Sequence, residues 1–68
     1  MDEERKRIGH RIYELRKKAG LSQAELAEKI GINSNNISRI EHGRYNVGFD
    51  MLQKIAEAFN SKIDFTDK

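Results

Sequence analysis

Cysteine is absent from this 68-residue sequence, which excludes a disulfide scaffold, a thiolate nucleophile and a zinc knuckle. The fold must then be held by packing or by a partner subunit. Long apolar runs are missing as well: no more than two residues of the hydrophobic set stand together anywhere. Neither a membrane span nor the apolar segment of a secretion signal therefore follows the basic N-terminus, and the expectation is a cytoplasmic chain without a membrane partner. Hydrophobic residues make up only 37%, against 35% charged, which is enough for a compact helical core and too little for a large buried active-site cleft. Histidine is scarce, His10 and His42 fall in different elements, and there is no glycine-rich phosphate loop. No nucleophile–base pair or metal cluster assembles from these, so the chain is expected to be no enzyme and to need no metal or cofactor. Its length suits one domain spanning residues 1–68.

Net charge is also small, at +2, and its distribution says more than its sum. Residues 1–20 carry seven basic and four acidic side chains, the middle of the chain is balanced, and residues 45–68 are slightly acidic. The basic excess suits a polyanion. Acids that open the first segment and bases that close it suit the dipole of a solvated helix equally well.

Hydrophobic spacing then lays out the elements. Ile8, Ile12, Leu15 and Ala19 recur at intervals of four, three and four, one narrow stripe at about 100° per residue, so a first amphipathic helix runs from near Asp2 to Ala19-Gly20. Gly9 weakens its interior by about 1 kcal/mol relative to alanine. Ser22-Gln23-Ala24-Glu25 is a capping box that starts a second helix, with Leu26, Ala27 and Ile30 inside and Gly31 as its end. Asn33 caps a third, in which Ile37 and Ile40 point inward and Gly43 closes. The turn at Gly31-Ile32 is too short for antiparallel stacking and favours a steep crossing. After the loop Arg44–Gly48, Leu52, Ile55, Ala56 and Phe59 define a fourth helix with Met51 beside them. In the tail, residues 61–68, Ile63 and Phe65 alternate as in a strand, although one further helical turn fits too.

Within residues 23–42 each small or apolar residue has a physical task. Ala27 is small where the third helix crosses above it, Gly31 takes a positive φ, and Leu26, Ile30, Ile32, Ile37 and Ile40 form the wedge that sets the crossing angle. With these offsets, and with Leu15-Arg16, Leu21–Ala27, Ile37–Gly43 and Leu52–Phe59, the sequence resembles the phage-repressor or Cro-like helix-turn-helix proteins, the xenobiotic-response-element type. The resemblance covers Ile12 to Phe59. It implies an all-α, lambda-repressor-like DNA-binding domain, a compact bundle of four or five helices. Family members bind double-stranded operator DNA, usually as two-fold dimers, to regulate transcription. The expectation for this chain is a repressor that dimerises at least on DNA. The family often has a proline where this chain has Val47, and its usual last helix has no match in the tail.

If the third helix enters the major groove, winding outward from Ile37 and Ile40 leaves Asn35, Ser38 and Arg39 facing the bases, with Ser34 at the flank. Asn suits the edge of adenine, Arg that of guanine, and Ser either. The resemblance likewise implies base reading at Ser34, Asn35 and Arg39. A merely polar surface is the alternative for Asn33, Asn35 and Asn36. Phosphates would be held by Gln23 and the backbone N–H groups at the start of the second helix, and by His42, Arg44, Tyr45 and Asn46 beyond the third. Tyr45 equally suits a partly buried loop anchor. Arg16 and Glu41 stand where family members often carry a structural arginine–glutamate pair. The rival reading is a protein-interaction module on the same bundle, such as a bridging coactivator or an antitoxin, and this chain could also be one domain of a longer regulator.

Overall fold

In the computed structural model, which describes residues 2–61, the first apolar stripe winds into α1, Asp2–Ala19. Its end is closed by paired backbone bonds: Gly20 N–H donates to Lys17 O at 3.0 Å and Leu21 N–H to Arg16 O at 3.1 Å. The inward face differs from the expected stripe. Ile12 is buried and Ile8 partly so, but Ala19 is exposed, and the inner positions next to Ile12 are Gly9 and Arg16. The helix is rotated because Gly9 lies against the end of the third helix, where a Cβ would fall on the Ile40 carbonyl oxygen and 2.8 Å from that of Glu41. What looks like a weak point of α1 is the place where two backbones meet.

Helix α2, Gln23–Ile30, opens with the capping box. Ser22 Oγ accepts from the Glu25 N–H at 3.0 Å, and Glu25 Oε1 accepts from the Ser22 N–H at 2.8 Å. The bond from the Ser22 backbone, helped by its hydroxyl, holds the Glu25 carboxyl below the usual carboxylate range. Gly31 closes α2 at φ 80°, a left-handed conformation that a β-branched residue resists, and the chain turns at once into α3, Ser34–Glu41. Asn33 Oδ1 accepts from Asn35 N–H at 2.8 Å to cap it. Helix α4, Phe49–Ala58, starts from Gly48 with no side-chain cap bond, with Asp50 in its first turn.

All four helices contribute to one core: Ile12 from α1, Leu26, Ala27 and Ile30 from α2, Ile37 and Ile40 from α3, and Ile55 from α4. Ile8, Ile32, Tyr45, Val47, Met51, Leu52, Ala58 and Phe59 pack around it, partly buried. Helix α2 lies against α3 and α4, and α1 against α3. Among the described residues there are four helices and no strand. The alternative conformations considered for Ile63 and Phe65 lie outside the described residues.

Candidate nucleic-acid interface

Because Ile37 and Ile40 are pinned in the core, the opposite side of α3 must face outward. Asn35 and Arg39 are exposed on it, and Ser34 and Ser38 are half-exposed. Four hydrogen-bonding side chains thus share one outward surface on a helix whose other side is fixed. Ser34 also borders an open groove with Arg16, Lys17, Ser22 and Gln23, which joins the start of α2 to that of α3. Lys17, counted in the sequence only as part of the basic excess, is a member of this groove.

The end of α3 is held by a buried ionic cluster. Arg16 Nε donates to Glu41 Oε2 at 2.6 Å and Nη2 to Oε1 at 3.2 Å, while Nη1 donates to the Leu21 carbonyl at 2.8 Å. Gln23 Nε2 adds a bond to Glu41 Oε1 at 3.0 Å. The two charged side chains are only 8% and 3% exposed. The hydrogen bonds from Arg16 to Glu41 raise the guanidinium's pKa, desolvation opposes this, and Coulombic attraction adds to the rise. One carboxylate therefore joins α1, the start of α2 and the end of α3. Gln23 uses one amide proton here and has one left for a partner outside.

Beyond α3 the chain reverses through His42, Gly43 and Arg44. Arg44 N–H donates to Arg39 O at 2.8 Å, and His42 Nδ1 lies 2.7 Å from the Ser38 carbonyl oxygen, to which it donates. Arg44 and Asn46 are exposed, whereas Tyr45 is half-buried against the core. The Arg39 guanidinium sits over the Tyr45 ring, 5.6 Å from its centroid. Spacing alone did not reveal this contact, since the residues belong to a helix and to the loop that returns past it. On α1, His10 stacks with Tyr13 at 6.1 Å, and Arg16 lies 5.4 Å from the Tyr13 ring centroid. Among the described residues no helix is long and apolar enough to cross a membrane, and no group of three or more acidic, His or Cys side chains is placed to hold a metal.

A short α2, a tight turn and an outward polar α3, with α1 packed against α3 and α4 against α2, define a helix-turn-helix domain. The chain belongs to the helix-turn-helix family, of the Cro and phage-repressor type, and the family model matches residues 12–65. It is 43% identical over 54 residues to an HTH-type transcriptional regulator of Archaeoglobus fulgidus, covering 79% of this chain and 77% of that protein. It is 34% identical over 56 residues to the immunity repressor protein of Bacillus phage phi105, covering 82% of this chain but 39% of the repressor. Among solved structures it resembles the restriction-modification controller protein C.AhdI of Aeromonas hydrophila, with a TM-score of 0.83 and 32% identity, over 87% of this chain and 89% of that one. The protein is a DNA-binding transcriptional regulator.

Proposed function

We propose that the chain is a repressor, acting in the cytoplasm and without catalytic activity, that inserts α3 into the major groove of a two-fold operator and binds it as a homodimer. The observation that carries this reading is the outward face of α3, where Ser34, Asn35, Ser38 and Arg39 all present hydrogen-bonding groups opposite Ile37 and Ile40. These four read base edges. Gln23, His42, Arg44, Tyr45 and Asn46 contact phosphates on either side. With Nδ1 donating to Ser38, a neutral His42 ring offers only an acceptor at Nε2, so its phosphate contact requires the imidazolium form. An antitoxin role on the same fold is the second reading, favoured by 40% identity over 53 residues to the antitoxin PezA of Streptococcus pneumoniae, of which this chain spans 34%.

Selection of bound oligonucleotides from a random pool tests the proposal. A two-fold consensus is expected, on which Arg39→Ala loses about 1–3 kcal/mol and relaxes preference at one base pair, whereas Arg44→Ala weakens all sequences about equally. Equal losses on every sequence for both variants would reject Arg39 as a reader. Sedimentation of the protein with and without the selected DNA checks the dimer, and a one-to-one complex on a two-fold site would refute it.

A further inference from the structure

Arg39 and Tyr45 form a pair whose chemistry goes beyond the roles given to each separately. Arg39 is exposed, and its guanidinium has no acidic or hydrogen-bonding partner among the described residues; its contact is the Tyr45 ring at 5.6 Å. The ring is firmly seated. Tyr45 packs against the core and, with Ile8, Ile40, Val47 and Leu52, lines the small cavity between α1 and the loop. The closing bond from Arg44 N–H to Arg39 O brings the loop back beneath the side chain that Arg39 projects. An arginine in water samples many rotamers, and holding it for a bidentate contact with a guanine edge loses that freedom. A guanidinium laid on a fixed aromatic face has already lost much of it, while its N–H edge stays open for base contacts.

We propose that Tyr45 is a positioning residue for base recognition: its ring holds the Arg39 guanidinium on the groove-facing side of α3 before DNA arrives, and so sharpens discrimination at the base pair that Arg39 reads. This rests on Arg39 being a base reader. It assigns the ring of Tyr45 a task distinct from the phosphate contact of its hydroxyl. Leucine at position 45 would keep an apolar anchor and lose the cation–π face. Phenylalanine would keep the face and lose the hydroxyl.

The test measures the affinity of the full chain for its selected operator, and for versions altered at each base pair, by fluorescence anisotropy. Arg39→Ala first identifies the base pair that depends on Arg39. Tyr45→Leu is expected to reduce discrimination at that pair about two- to five-fold, Tyr45→Phe to keep it, and Tyr45→Leu to add nothing at that pair once Arg39 is alanine. A loss of discrimination at that pair that persists in the Arg39→Ala background, or a loss of affinity that is equal on matched and altered operators and leaves discrimination unchanged, would overturn the proposal. If Arg39→Ala changes preference at no base pair, the reader assignment itself fails first. A measurement without DNA guards against unfolding by Tyr45→Leu: in the free protein the Arg39 side-chain proton resonances should be displaced by the ring current in wild type and Tyr45→Phe. Undisplaced resonances in folded wild type would refute the positioning.

Discussion

Removing one member of the Arg16–Glu41 pair should be far more harmful than removing both. Glu41→Leu leaves the Arg16 guanidinium, on a residue only 7% exposed, with the Leu21 carbonyl as its remaining protein acceptor. Stranding a buried charge in this way costs about 3–5 kcal/mol. A 68-residue domain has roughly 3–10 kcal/mol of total stability. The single substitution should therefore lower the melting temperature by about 12–40 °C, at about 4–8 °C per kcal/mol for a domain of this size. Arg16→Met strands the Glu41 carboxylate, for which Gln23 alone cannot compensate. The double variant removes both charges and refills the space with apolar atoms, so it should be more stable than either single variant. Thermal melts by circular dichroism on the four proteins give the coupling directly. Single losses that add within about 0.5 kcal/mol in the double variant would refute the reasoning, because they would mean that neither charge depends on the other.

Gly9→Ala should destabilise by about 1–3 kcal/mol through its clash with the carbonyls of Ile40 and Glu41, the reverse of the gain of about 1 kcal/mol normal for this change within a helix; chemical denaturation gives the sign. Ala27→Leu, at a residue 2% exposed, should overfill the packing of α2 against its neighbours and cost a similar amount, measured the same way. The folded-state pKa of Glu25 is depressed, so its capping contribution is complete above the unfolded pKa and is lost as pH falls through the folded one. Glu25→Gln should therefore flatten the acid limb of a stability–pH curve while leaving its neutral-to-alkaline slope unchanged, and an unchanged acid limb would refute the assignment.

The helix boundaries were legible because their causes are local. Ser22 with Glu25, Asn33 with Asn35, and Gly31 at the turn each act within a few residues, and all appear where their spacing suggested. The rotation of α1 was harder to read. A charged residue in a helical pattern ordinarily signals a solvated position, so spacing completes the stripe with Ala19 instead of Arg16, whose partner Glu41 comes from another helix. The pairing was accessible only through resemblance to a family. Propensity likewise marks Gly9 only as a weak point of the helix, although what decides its effect is a carbonyl more than thirty residues later. The outward face of α3 was predictable once Ile37 and Ile40 were placed, while the seating of Arg39 on Tyr45 depends on how the loop returns.

Helix α3 has eight residues, fewer than the roughly 12–15 that an isolated helix needs in water. It exists because Ile37 and Ile40 are buried, its Asn33 cap is in place and Glu41 is clasped at its far end. Ser34, Asn35, Ser38 and Arg39 belong to neither the core cluster nor the ionic cluster. With these four as the proposed base readers, stability and sequence preference are written on different residues of the same two turns. Exchanges at exposed positions such as Asn35 typically change stability by about 0.5 kcal/mol or less, so a lineage can drift from one operator to another without passing through an unfolded intermediate. On the positioning role proposed for Tyr45, Arg39 is the exception: moving its recognition elsewhere would leave the ring as a platform with nothing to hold, and the two positions should change together in evolution.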